Sequence, residues 1–145
     1  MSLIEFNRAR PLRVLHVDDD PLNLRVVADI LDAFGHAPVS ASSGAAALEQ
    51  LGVEVFDLIL MDIHMPNMTG LEVVQRLRAS IGPERNTPVI ALTADVVSRQ
   101  PAEYLELGFD DFVSKPILVS RLMSAINDLA ARGRRDLGGP LRRVR

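Results

Sequence analysis

The chain has no cysteine. That excludes a disulfide framework and any thiolate metal site, and nothing else points to an oxidising compartment. No apolar stretch approaches the roughly 20 residues that a helix needs to cross a bilayer, and the start "MSLIEFNRARPLR" lacks the apolar core of a secretory signal. A cytoplasmic protein without membrane insertion is the expectation. Lysine is almost missing as well, since Lys115 stands alone among fifteen arginines.

What is present is an ordinary globular mixture, 48% hydrophobic and 24% charged over 145 residues, enough for one domain with a real core. The net charge of −3 is unevenly placed: from Arg132 onward six arginines and one aspartate give +5, which leaves −8 on the preceding residues. This basic tail is short, glycine-broken and free of aromatics, so it reads as solvated or linker-like, and no nucleic-acid binding is assigned to the domain. The expected layout is an N-terminal extension over 1–11, one domain over 12–131 and a basic tail or linker over 132–145.

Three short, nearly continuous apolar runs, "VLHV" (14–17), "LILM" (58–61) and "VIAL" (89–92), have the pattern of strands buried on both faces of a parallel sheet. Two more polar runs, "VSA" (39–41) and "FVS" (112–114), suit the sheet edges. Between them lie segments with helical spacing: Leu24, Val27, Ala28 and Leu31; Ala45, Leu48 and Leu51; Leu71, Val74, Leu77 and Arg78; Leu122, Ile126 and Leu129. Such alternation predicts an α/β domain, and three apolar strands flanked by two weaker ones predict a flavodoxin-like, doubly wound five-stranded parallel sheet of order 2-1-3-4-5 with helices on both faces.

Ligands of such sheets bind at the carboxyl ends of the strands. There Val17 is followed by Asp18 and Asp19, Met61 by Asp62, Leu92 by Thr93, and "FVS" by Lys115. A lone lysine at this rim, fixed by the following Pro116, suits a compact ammonium that contacts a phosphoryl oxygen. Three ionised carboxylates raise one another's pKa unless cations offset them; Lys115 supplies one positive charge and a divalent ion two. With oxygen as the only ligand type, Mg²⁺ fits best, with Mn²⁺ as its alternative, and one carboxylate is left as a nucleophile for phosphoryl transfer. Asp20, followed by Pro21, has the form of a helix N-cap and stays outside the metal set. His16 and His36 have no partner at metal-ligand spacing and read as structural.

The segments "VLHVDDDPLN", "LILMDIHMPNMTG", "PVIALTAD" and "GFDDFVSKPI", in this order, resemble the receiver (response regulator) domain of two-component signalling, over residues 12–131. Their phrasing is most similar to receivers of hybrid sensor histidine kinases. The resemblance implies that Asp62 is the phosphoacceptor, that Asp19, Asp62 and the main-chain carbonyl of His64 bind Mg²⁺ directly, and that Asp18 acts through metal-bound water. It implies that Thr93 hydrogen-bonds the phosphoryl group, that Lys115 pairs with it, that Phe112 is the aromatic switch, and that the Lys115–Pro116 bond is cis. The implied partner is a sensor histidine kinase or histidine phosphotransfer protein, and the implied chemistry is self-catalysed phosphorylation and dephosphorylation. Two other classes stay open: a degenerate receiver that only binds, and an aspartate-nucleophile phosphatase, which would need an aspartate where His64 stands. Pro101 predicts a short fourth helix that starts near it and closes at Gly108, anchored by Tyr104, Leu105 and Leu107, with 95–100 as loop.

Overall fold

The computed structural model describes residues 11–94 and 99–132. Five parallel strands, β1 (Arg13–Val17), β2 (Ala37–Ala41), β3 (Leu58–Asp62), β4 (Val89–Thr93) and β5 (Asp111–Ser114), form one sheet in the order β2-β1-β3-β4-β5. The helices are α1 (Pro21–Ala33), α2 (Gly44–Val53), α3 (Gly70–Ala79), α4 (Pro101–Glu106) and α5 (Val119–Arg132), with a 3₁₀ turn at Pro83–Asn86. Each helix returns the chain to the end of the sheet where the strands start, so β1 begins and α5 ends on the same side, opposite the strand exits. The expected order and helix alternation are both present.

Alternation along the strands feeds two cores. On one face Leu15, Val17, Ile59, Met61, Val89 and Ala91 pack under α2, α3 and Tyr104 of α4. On the other, Val14, Leu58, Leu60, Ile90, Leu92 and Val113 pack under α1 and α5. All five residues of β3 and of β4 are buried, as the unbroken apolar runs require. Full burial of each such aliphatic side chain contributes about 1.5–3 kcal/mol, which makes the two central strands the rigid base of the site.

The helix ends are set locally. The Asp20 carboxylate accepts the Leu22 amide at 2.9 Å and Pro21 opens α1, as its form predicts. Ser43 caps α2, and Thr69 with Glu72 forms a capping box on α3. Helix α4 starts at Pro101, and the chain turns at Gly108 with φ +107, a conformation open to glycine. The loop expected over 95–100 lies outside the described residues for 95–98. Two expected anchors do not reach the core: Ala45 is exposed and Ala47 takes the buried position on α2, while Leu105 is 58% exposed and leaves Tyr104 as the one buried residue of α4. In a helix of two turns a single large aromatic covers the available core. Tyr104 lies edge-on to Phe109 (centroids 5.9 Å apart) and stacks on Phe112 at 5.2 Å.

Arg78 accounts for a charge on an otherwise apolar face. Its guanidinium donates to the carbonyls of Gly108 (2.8 and 3.0 Å), Arg85 (2.8 Å) and Thr87 (2.7 Å) and to the Asp110 carboxylate at 3.1 Å. Asp110 in turn accepts the Val89 amide at 2.8 Å. One side chain therefore clasps the end of α3 to the segments that lead into β4 and β5.

Candidate functional site

The connections from β1 and β3 leave the sheet on opposite faces, to α1 and α3, and open a crevice at the carboxyl ends of these neighbouring strands. Asp18 follows β1 and Asp62 ends β3. Register aligns the rest of the rim, with Asp62 level with Leu92 and Thr93 level with Ser114, one residue before Lys115. The Lys115 amide donates to the Thr93 carbonyl at 2.8 Å, which ties the lysine to the end of β4. The Lys115–Pro116 peptide is cis.

The sequence-predicted residues converge. One carboxylate oxygen each of Asp18, Asp19 and Asp62 lies within 4.8 Å of the other two. Asp18 and Asp62 are buried and Asp19 is exposed, so the cluster opens to solvent on one side. Lys115 Nζ donates to Asp62 Oδ1 at 3.0 Å and to Asp18 Oδ2 at 3.4 Å. Asp18 is held from beneath, its Oδ1 accepting the Asp20 amide at 2.9 Å and its Oδ2 accepting Asn23 Nδ2 at 3.3 Å. Thr93 is buried at the end of β4, Phe112 is half-buried on β5 under Tyr104, and His64 is exposed two residues beyond Asp62.

The loop after Asp62 folds back tightly. The Gly70 amide donates to the Ile63 carbonyl at 2.9 Å, and a Cβ at position 70 would meet the Asp62 carbonyl oxygen at 2.2 Å. Only glycine permits that approach. Asn67, with φ +70, turns the loop in the left-handed region.

Three carboxylates against one ammonium leave the crevice with excess negative charge. Burial raises the pKa of Asp62 above the ordinary carboxylate value; the Lys115 hydrogen bond and charge oppose this, and Asp18 and Asp19 add to it. For Lys115, burial alone would lower the pKa, but Asp62 and Asp18 outweigh it and hold the group above the ordinary lysine value, so it is cationic. The oxygen-only donor set suits a hard divalent cation, whose charge would reverse the shift on Asp62.

Several contributors had a weaker sequence signal. Asn23 has only its place one turn into α1. Gly70 is legible only as a glycine near a helix start. His16 is 1% exposed and lies 3.8 Å from Asp18 Oδ2, and neither ring nitrogen has a hydrogen-bond partner among the described residues. Burial lowers its pKa to about 4, against a smaller opposing effect of Asp18, so the ring is neutral at pH 7.

Fold and rim together define a class: doubly wound α/β domains whose central strands end in an acidic crevice with a lysine across it. Comparison with known proteins agrees. The profile of the response regulator receiver domain matches residues 14–127, and the chain belongs to that family. It is 40% identical over 115 residues to the aerobic respiration control sensor protein ArcB of Escherichia coli K12, covering 79% of this chain and 15% of that protein. It is 38% identical over 121 residues to the sensor protein GacS of Pseudomonas syringae pv. syringae, covering 81% of this chain and 13% of that protein. The chain thus spans a small part of these curated relatives. Among solved structures it is similar to the receiver domain of a sensor histidine kinase from Pseudomonas aeruginosa PAO1 with a magnesium ion coordinated in the active-site cleft (26% identity, TM-score 0.76, 84% of this chain and 99% of that one). Among the described residues no helix is long and apolar enough to cross a membrane.

Proposed function

We propose that this domain accepts a phosphoryl group on Asp62 from a phosphohistidine of a sensor kinase or histidine phosphotransfer protein. The observation that carries the reading is the position of Lys115 Nζ, 3.0 Å from Asp62 Oδ1 in a crevice that also holds the carboxylates of Asp18 and Asp19. A carboxylate oxygen of Asp62 attacks phosphorus, the phosphorus–nitrogen bond breaks, and the imidazole nitrogen leaves with the electron pair. Lys115 exchanges one of its two carboxylate contacts for a phosphoryl oxygen, and Thr93, at the end of the adjacent strand, donates to another. Asp19, Asp62 and the His64 carbonyl would hold Mg²⁺, or Mn²⁺, directly, with Asp18 acting through bound water. When bound, the ion supplies positive charge for the phosphoryl oxygens.

Inward movement of Thr93 opens space beside Phe112, and the Tyr104–Phe112 stack passes the change to the face formed by α4, β5 and α5. Residues 12–131 form the working unit in this reading, 1–11 an extension and 132–145 a linker-like tail. The sensor-kinase relatives support a receiver of the hybrid-kinase kind, and a cytoplasmic location is part of the same proposal.

The test is incubation with Mg²⁺ and a small phosphodonor, followed by intact mass and phosphate release. The expected result is an adduct of one phosphoryl group that is absent in Asp62→Asn and strongly reduced in Asp19→Ala. Fast phosphate release without an adduct would instead indicate a phosphatase, and neither product a receiver that only binds.

A further inference from the structure

Asp18 is held unevenly. Its Oδ1 has a normal bond from the Asp20 amide at 2.9 Å, but its Oδ2 has only long ones, 3.3 Å from Asn23 and 3.4 Å from Lys115. Lys115 is closer to Asp62, at 3.0 Å. His16 Nε2 lies 3.8 Å from the same Asp18 Oδ2. A buried imidazole without a hydrogen-bond partner carries an uncompensated desolvation penalty that an aliphatic side chain on this strand would avoid, so its presence calls for a reason.

Phosphoryl transfer supplies one. The ammonium of Lys115 bridges two carboxylates, and the longer of its two contacts is the weaker and the first to be given up when phosphoryl oxygens compete for it. Asp18, 1% exposed, cannot replace the lost donor with bulk water. Movement of about 1 Å brings His16 Nε2 within hydrogen-bond distance of Asp18 Oδ2. A neutral ring adds no charge, whereas a cation in that place would compete with Lys115 and with the metal for the carboxylates.

We propose that His16 is a positioning residue whose Nε2–H takes over Asp18 Oδ2 from Lys115 when a phosphoryl group occupies Asp62, and so keeps Asp18 oriented toward the metal site. The inference rests on the phosphoacceptor reading of Asp62.

The test uses the full chain with Mg²⁺ and beryllofluoride as the phosphoryl mimic, in wild type, His16→Leu and His16→Gln. In wild type with labelled histidine, the His16 Nε2 proton is expected to move downfield and become protected from exchange only when both ligands are present. His16→Leu should keep or raise the urea midpoint of the unliganded chain and yet bind beryllofluoride about tenfold more weakly, which corresponds to about 1.4 kcal/mol. His16→Gln, whose amide nitrogen reaches the same place, should recover much of that loss. A merely structural histidine would give the opposite pattern, with stability lost and affinity kept. Ring signals that ignore the ligands, or wild-type affinity in a folded His16→Leu, overturn the inference; the ring measurement decides even if that variant does not fold. A wild-type chain that takes up neither beryllofluoride nor phosphoryl overturns the phosphoacceptor reading and this inference with it, an outcome distinct from uptake with a silent His16.

Discussion

Removal of Arg78 should be among the most damaging single changes outside the core. Its side chain is 18% exposed and that of Asp110 13%, and the guanidinium serves three carbonyls and one carboxylate. Charge-assisted hydrogen bonds contribute about 1.5–3 kcal/mol each, but bonds from one group are not additive. Breaking a buried pair from one side costs about 3–5 kcal/mol. For this partly solvated clasp the lower part of that range applies, so Arg78→Ala should cost about 3 kcal/mol. With a urea m-value of about 2 kcal/mol/M, the unfolding midpoint falls by about 1.5 M. Arg78→Lys keeps the charge but not the planar fork that reaches several carbonyls at once, and should recover less than half. Arg25, whose i,i+4 contact with Asp29 is 3.3 Å but whose side chain is 78% exposed, is the control: Arg25→Ala should stay within about 0.5 kcal/mol of wild type. An Arg78→Ala midpoint as close to wild type as that of the control would refute the clasp.

Three further outcomes are expected. His16 is neutral in the folded chain down to about pH 4, whereas an unfolded chain's histidine takes a proton near 6.5. The folded chain therefore loses stability as pH falls from 6.5 toward 4, by up to about 3 kcal/mol, because the unfolded chain takes up the proton first, and a His16→Leu chain should show a shallower decline in urea midpoint over that window. Gly70→Ala forces the α3 start away from the Asp62 carbonyl, so the phosphoryl adduct should form several-fold more slowly in the intact-mass assay, with a lowered thermal midpoint; unchanged rates would show that the loop tolerates the shift. Lys115→Arg retains the charge in a broader group and should fail to restore adduct formation, so wild-type kinetics in that variant would contradict the role assigned to a compact ammonium.

Strand order and rim were legible because both follow from one-dimensional signals. Runs such as "LILM" must be buried on both sides, and a parallel sheet places whatever follows its strands on one edge. Asp18, Asp62, Thr93 and Lys115 follow from that rule, each standing at or just beyond the end of a strand. The misjudged positions depend on three-dimensional details that periodicity does not encode. Ala45 and Ala47 are chemically identical, and only the docking angle of α2 decides which is buried. Leu105 lost its place because Tyr104 already fills the space against Phe109 and Phe112. His16 continues the apolar phase of β1, and nothing in the sequence shows that its ring stops 3.8 Å short of a carboxylate.

The return of every helix to the starting edge of the sheet has a mechanical consequence. Chain entry at β1 and exit at α5 share one end, and the aspartates occupy the other. The described unit therefore carries both of its ends at its back, and its open carboxylate mouth faces away from them.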